Sequence, residues 1–245
     1  MRPRGTRPCG SLRRVSSSTD ETPPGGADAG SPRFLLRRIV ASYDSVPVRI
    51  YSRIRFSILR QVFLEEIGQY LPREGRVLDI GCGFGLFSLY FASLAPGCRL
   101  TGVDRDARRI GFAQESARRL GLDNAEYHVG DAPQWSAAGP FDAVYLLDLI
   151  HHLPVEEVEG FLVKLRGQLS ERGVLVVKDV EDRPRWKMAF TLLLDRLMVG
   201  REPIHYWPAD EFCALLERLG FEVVRHRMRD FLPYPHILYV ARRSS

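Results

Sequence analysis

Residues 77–85 decide the fold of this chain: they read Val-Leu-Asp-Ile-Gly-Cys-Gly-Phe-Gly. An apolar run ends at Ile80, glycines follow at alternate positions, and a helical pattern begins near Leu86. Glycine has no Cβ, so its backbone can adopt positive φ and approach a ligand closely. Unpaired amide groups at the start of a helix can form a polar cradle. The stretch therefore predicts a strand, a tight ligand-binding turn and a helix.

Around this stretch, short apolar runs alternate with helical patterns. We expect strands at 76–80, 99–104, 126–129, 143–147, 173–179, 221–227 and 237–242, and helices beginning near Leu86, Ala107, Val155 and Asp210. Short, wholly apolar strands are typical of a parallel sheet covered on both faces. Right-handed crossovers between them give a doubly wound sheet. A short connection rich in proline and tyrosine joins the last two strands, which we expect to pair antiparallel.

The spacing of the glycines separates two classes of nucleotide-binding turn. Dinucleotide-binding proteins carry Gly-x-Gly-x-x-Gly, whereas here position 86 is leucine and the pattern is Gly-x-Gly-x-Gly after an acidic residue. Asp104 ends the second predicted strand, 19 residues after Gly85. A carboxylate at that place can accept hydrogen bonds from both hydroxyls of a ribose. The alternative is that Asp104 caps the next helix.

With Asp104 in that register, residues 77–180 resemble class I S-adenosylmethionine-dependent methyltransferases, in the small-molecule group of type 11/25. The resemblance implies an α/β fold: a doubly wound, Rossmann-like sheet of seven strands in the order 3-2-1-4-5-7-6, with the last strand antiparallel. It also implies S-adenosyl-L-methionine as the cofactor. The cofactor-binding residues that it implies are Asp79, Gly81, Cys82, Gly83, Gly85, Asp104, Arg105, Asp131, Ala132, Leu147 and Asp148.

The resemblance assigns parts of the cofactor to several of these residues. Asp131 would accept from the exocyclic amine of adenine, the Ala132 amide would approach the ring, and Arg105 would stack on its face. Leu147 and Asp148 would lie beside the methionine part, at the carboxyl edge of the sheet. An ordinary turn is the alternative reading of Asp131, because Gly-Asp pairs favour turns.

Methyl transfer needs a base when the acceptor is a hydroxyl, an amine or an acidic carbon. The candidates are His151 and His152, which follow the fourth strand; a structural role is an equal alternative for either. Lys178 and Asp179 end the fifth strand at the same edge, where a helix cap or a surface pair would also explain them. Nothing in the sequence predicts a metal site.

The ends of the chain differ in composition from this central part. Residues 1–32 are rich in Arg, Ser, Pro and Gly, and we expect a disordered tail. Residues 33–245 form a single domain, in which 33–72 supplies a helical N-terminal cap. Arginines interleave with apolar residues in this cap. It could be a basic amphipathic face that contacts a membrane or an acidic substrate; we favour a pair of helices packed on the domain with solvated arginines.

An apolar insert at 182–207 follows the fifth strand and could form a lid over the site. It would favour a hydrophobic acceptor, such as a lipid or a quinone-like ring. Core packing or a dimer contact would explain the same residues equally well. The sequence does not determine the oligomeric state.

Charge and cysteine content narrow the function further. The formal net charge is +5, but six arginines against three acidic residues lie within 1–33, which leaves +2 for the rest. This balance argues against a nucleic-acid partner. The four cysteines are scattered, as expected for reduced thiols in a cytoplasmic protein. The sequence contains no run of 18 apolar residues, so we do not expect a membrane-spanning helix.

These observations predict a methyltransferase that acts on a small, hydrophobic or lipid-like acceptor. The alternatives are an RNA methyltransferase, a module that binds S-adenosylmethionine without catalysis, and a nicotinamide-dependent oxidoreductase. Against RNA stands the loop after the fourth strand, which reads Asp-Leu-Ile-His instead of Asn/Asp-Pro-Pro-aromatic.

Overall fold

The computed structural model describes residues 10–11, 32–136, 139–180, 205–228 and 236–244. Its main sheet has seven strands: β1 (Glu74–Ile80), β2 (Gly97–Asp104), β3 (Ala125–Val129), β4 (Phe141–Leu147), β5 (Leu169–Val180), β6 (Phe221–Arg227) and β7 (His236–Arg243). Their order is β6-β7-β5-β4-β1-β2-β3. Only β7 runs antiparallel to its neighbours among these strands. The predicted fold class and strand order are therefore confirmed.

A further short strand lies at the edge of the sheet. Gly10–Ser11 pairs in parallel with Val224 and Arg225 of β6. These two residues fall within the segment that we predicted to be a tail. The rest of 1–31 lies outside the described residues, so the disordered tail stays a prediction.

Seven α-helices cover the sheet in the described part of the chain: α1 (Pro32–Ser42), α2 (Val46–Ile58), α3 (Gln61–Gly68), α4 (Leu86–Leu94), α5 (Ala107–Leu120), α6 (Val155–Gln168) and α7 (Ala209–Arg218). Helices α1 to α5 share a core with one face of the sheet, and α6 and α7 share a core with the other. The cap has three helices and not the predicted pair, because the backbone is extended at Arg60 between α2 and α3.

Local sequence signals mark both ends of helix α5. The side chain of Asp106 caps α5 by accepting from the amides of Arg108 and Arg109, and Gly121 ends this helix at φ 69°. Parallel strands alternate with helices from β1 to β5. This places the carboxyl ends of β1, β2, β3 and β4 at one edge of the sheet, the edge at which ligands bind in open α/β folds.

Most of the predicted lid at 182–207 lies outside the described residues, which resume at His205. From there, Trp207 packs against Phe212 of α7, with ring centroids 5.8 Å apart.

No helix in the described ranges is both long and apolar enough to cross a membrane. Cys82, Cys98 and Cys213 are buried free thiols. Over the same ranges, no cluster of three His, Cys, Asp or Glu side chains could hold a metal ion.

Candidate active site

A cavity opens at the carboxyl edge of the sheet, between the turn after β1 and helix α2. Two of its walls come from the ends of β2 and β4, and another comes from the segment after β3. The predicted residues that line it are Asp79, Gly81, Cys82, Gly83, Asp104, Arg105, Asp131, Ala132, Leu147, Asp148, His151 and His152. The structure therefore brings together every predicted site residue except Gly85.

The glycine turn shapes this cavity more than it supplies donors. The amides of Gly81 and Cys82 donate to the carbonyl of Val103, at 2.8 and 3.0 Å, and the amide of Gly83 donates to Asp104 Oδ2 at 2.8 Å. The expected cradle of unpaired amides is thus wrong for these three residues. At Gly81, where φ is 78°, a Cβ would approach the side chain of Leu149 within 3.0 Å. Glycine is needed here for conformation and space.

Gly85 has a packing function instead. It precedes α4 with φ 77°, and a Cβ there would lie 2.8 Å from the Cβ of Ala113 on α5. Its amide donates to the Cys82 carbonyl at 2.9 Å. Gly85 therefore lets α4 begin close to α5. It is not among the residues that line the cavity, and its place in the cofactor site stays a prediction.

Asp104 is buried at the end of β2, with its carboxylate held by two backbone donors. Oδ2 accepts from Gly83 at 2.8 Å, and Oδ1 accepts from the amide of Asp106 at 3.0 Å. An ionised carboxylate has about four acceptor sites. Two bonds therefore orient the group and leave capacity for ligand hydroxyls. Arg105 and Asp131 are exposed along the same wall, whereas Ala132 is buried.

Asp79 lies beneath the turn. It accepts from the hydroxyls of Ser88 and Tyr145, the latter at 2.9 Å. Burial raises the pKa of Asp79 to about 7, although both hydrogen bonds act in the opposite direction.

Asp148 belongs to a buried ion cluster. Among the described non-glycine residues it alone has a positive φ, of 58°. Its carboxylate pairs with Lys178 Nζ, and with Arg55 of α2 at 3.0 Å. Burial alone would raise the pKa of Asp148, but the two cations together hold that pKa below its usual range. Sequence reasoning missed Arg55, because its partner lies 93 residues away.

His151 and Asp179 form a second buried pair beside the cavity. His151 Nδ1 contacts Asp179 Oδ1, and the His151 amide donates to Oδ2 at 3.2 Å. The amide of Val180 also donates to Oδ1, at 2.7 Å. Burial of both Lys178 and Asp179 shows that the surface-pair interpretation was wrong.

The rings around His151 distinguish the two candidate histidines. His152 contacts His151 at a centroid distance of 4.1 Å, and Tyr206 stacks on His151 at 5.5 Å. Both histidines line the cavity, but the contact with Asp179 belongs to His151. His151 is therefore the histidine held in place by a carboxylate.

Comparison with known proteins agrees with this geometry. A family model described as "Methyltransferase domain" matches residues 51–226, which is more than half of the chain. The chain belongs to this methyltransferase family. Ubiquinone biosynthesis O-methyltransferase of Azorhizobium caulinodans is 30% identical over 66% of this chain and 61% of its own length. Pavine N-methyltransferase of Thalictrum flavum subsp. glaucum is 28% identical over 42% of this chain and 28% of its own length.

The chain thus spans less than two thirds of these curated relatives. Among solved structures, magnesium protoporphyrin IX methyltransferase from Synechocystis PCC 6803 with bound SAH has a TM-score of 0.61 at 21% identity. That match covers 87% of this chain and 95% of the other. At this identity the likeness supports the fold alone.

In this methyltransferase domain the N-terminal cap contacts the glycine turn directly. The hydroxyl of Tyr43 donates to the carbonyl of Phe84 at 2.8 Å, and the ring of Tyr51 lies 5.0 Å from that of Phe84. Arg55 sits over the ring of Phe87, 5.6 Å from its centroid. The cap is therefore a wall of the site.

His236 is the first residue of β7. It is buried against Phe63 of α3, with centroids 5.2 Å apart, and is not among the residues that line the cavity. Burial lowers the pKa of His236 to about 2, and the nearby Lys178 adds to this. The ring is therefore neutral at physiological pH and packs as an aromatic group.

Proposed function

We propose that this chain is an S-adenosylmethionine-dependent methyltransferase that acts on a small, hydrophobic or lipid-like acceptor. One observation carries the proposal: a single cavity joins the glycine turn, the two aspartates expected to hold the nucleoside, and a carboxylate-held histidine. Membership of the methyltransferase family supports the reaction. Relatives named for pavine and for ubiquinone biosynthesis support the acceptor class.

The residues present fit this cofactor. Asp104 would accept from the ribose hydroxyls, Asp131 from the adenine amine, and Arg105 would cover the ring. The open space at Gly83 would admit the methionine part, because no Cβ obstructs the cavity there. S-Adenosylmethionine, when bound, supplies an activated methyl group on its sulfonium. The chain must then align the acceptor with that group and exclude water.

His151 is the proposed base. With Nδ1–H donating to Asp179, the lone pair of the neutral ring lies on Nε2. Nε2 would take the proton of a hydroxyl or amine acceptor as the new bond to carbon forms. Asp179 acts through the histidine, as a positioning residue that fixes its tautomer and orientation.

The apolar part of the cavity lining supports a hydrophobic acceptor. Tyr51, Phe84 and Phe87 come from α2 and the start of α4, while Leu149 and Leu153 come from the other side. Sites for small organic ligands combine apolar side chains of this kind with polar groups that fix the orientation of the ligand.

A calorimetric titration tests cofactor binding. We expect S-adenosylhomocysteine to bind and NADH not to bind. Asp131→Ala should weaken S-adenosylhomocysteine by about tenfold, since one hydrogen bond to the adenine is lost. Asp123→Ala is the matched control, because Asp123 is an exposed aspartate that does not line the cavity. Binding of NADH without S-adenosylhomocysteine would overturn the proposal.

A further inference from the structure

Helix α2 has three distinct faces. One is buried in the domain, through Val48, Ser52 and Phe56. The next faces the cavity, through Tyr51 and Arg55. These two faces contact the rest of the domain, as we expected for a cap helix that packs on it.

The third face of α2 is an apolar stripe open to solvent. It consists of Val46, Ile50 and Ile54, which are 61%, 52% and 45% exposed. Their spacing of four residues aligns them along one side of the helix. Arg53 is exposed within the same stretch. The apolar residues of α2 thus form a buried face and an exposed stripe, and the described part of the chain covers the buried face alone.

The cap concentrates the positive charge of the protein. Residues 32–60 contain seven arginines and one acidic residue, Asp44, which pairs with Arg119 of α5. Beyond residue 60 the chain has 23 basic and 26 acidic residues. The near-balance of the whole domain, from which we argued against a nucleic-acid partner, therefore hides a local excess of six positive charges in the sequence. Arg55 is one of these arginines, and its charge is buried against Asp148, so the other arginines supply the charge of this surface.

We propose that the exposed stripe of α2 docks on an anionic lipid bilayer. Interfacial helices place apolar side chains at the boundary between headgroups and acyl chains, while arginines attract anionic headgroups. A nucleic acid would leave the three aliphatic side chains without an apolar partner, because such interfaces are polar. Charge and apolar surface together therefore select a lipid surface.

Docking in this orientation would bring the cavity to the membrane. Tyr51 and Arg55 lie on the face of α2 next to the stripe, and both line the cavity. An acceptor dissolved in the bilayer would then enter beside α2. This last step rests on the proposed function, whereas docking itself does not.

Sedimentation of the full chain with lipid vesicles tests the docking. We expect binding to vesicles of phosphatidylcholine mixed with phosphatidylglycerol, weaker binding to phosphatidylcholine alone, and a loss of binding as salt rises. The double variant Ile50→Ser, Ile54→Ser should reduce partitioning by about tenfold or more. Arg53→Glu should reduce binding to the anionic vesicles only.

Matched variants on the opposite face are the controls. Val163→Ser on α6 removes an equally exposed apolar side chain, and Arg218→Glu on α7 reverses an exposed charge. Neither should change vesicle binding. Titration of each variant with S-adenosylhomocysteine reports separately on the cofactor site.

Three results would overturn the docking proposal. These are no binding to anionic vesicles, equal binding by the stripe and control variants, or a stripe variant that instead loses self-association or RNA binding. Vesicle binding without S-adenosylhomocysteine binding would leave docking intact and contradict the proposed function.

Discussion

Asp79 and Asp148 are buried acidic residues at the carboxyl ends of adjacent strands, and their neighbours give them opposite proton affinities. Asp79 accepts from two neutral hydroxyls, which do not compensate for its burial, so its pKa rises to about 7. Asp148 faces Lys178 and Arg55, whose charges outweigh burial and lower its pKa. Asp148 therefore stays ionised at neutral pH, whereas Asp79 titrates there.

The contact between His151 and Asp179 leads us to predict the effects of substituting either residue. His151→Ala should lower methyl transfer at least about a hundredfold, because the base is lost, and leave S-adenosylhomocysteine affinity within about twofold. Asp179→Asn should lower transfer less and shift its pH profile, because the histidine loses its anionic partner. Transfer is measured with S-adenosylmethionine labelled in its methyl group, offered a lipid extract and, separately, total RNA.

His152→Ala is the matched control, since His152 lines the cavity without the contact to Asp179. An equal loss of transfer in the His151 and His152 variants would contradict the assignment. Cofactor binding with no transfer to any extract, in the unmodified protein, would instead favour a non-catalytic binding module.

At the scale of the elements, local pattern was enough to place most strands and helices. The predicted helix starts at Leu86, Ala107 and Val155 match α4, α5 and α6, because a glycine turn, an Asp cap and a proline mark them. β5 begins at Leu169, earlier than the predicted Gly173, and its pairing with β4 shifts register between Phe141 and Ala143. Such an irregularity depends on the neighbouring strand and has no local signal.

Most of the predicted site residues lie at or just after the ends of strands. The carboxyl ends of parallel strands lie at the same edge of the sheet, independently of the conformation of the loops. The contacts that were missed join elements distant in sequence. Arg55 reaches Asp148 across 93 residues, and His151 reaches Asp179 across 28. A single sequence gives the residue types of these pairs but not their contacts.

The Arg55–Asp148 contact ties α2 to the end of β4, and its removal should loosen the cap. Arg55→Met keeps the length of the side chain and removes its charge, leaving the buried Asp148 with Lys178 alone. We expect a loss of about 2 kcal/mol in the free energy of unfolding. Hydrogen exchange should quicken in α2 and remain unchanged in α6.

Arg118→Met is the control for this prediction. Arg118 pairs with Glu115 on the surface of α5, where its side chain is 74% exposed, so the change should stay within about 0.5 kcal/mol. Equal effects of the two substitutions in urea unfolding would show that Arg55 does not anchor the cap.

For the molecule as a whole, two buried groups give stability an optimum in pH. The pKa of Asp79 is raised on folding, so its contribution is full below pH 4 and is lost as pH rises to about 7. The pKa of His236 is lowered to about 2, so its contribution is present above pH 6.5 and is lost as pH falls. The two slopes oppose each other, which favours greatest stability at mildly acidic to neutral pH.

The substitution Asp79→Asn removes the contribution of Asp79 to the pH dependence of stability and leaves that of His236. The amide oxygen can still accept from Ser88 and Tyr145, while its buried NH₂ adds a cost that does not depend on pH. Between pH 4.5 and 7.5, the wild type should therefore lose stability relative to the variant, by on the order of 3 kcal/mol. Urea unfolding at several pH values measures this difference, with the exposed Asp123→Asn as control. Parallel stability curves for the wild type and Asp79→Asn would mean that Asp79 is ionised throughout, and the polar environment beneath the turn would then have to stabilise a charge.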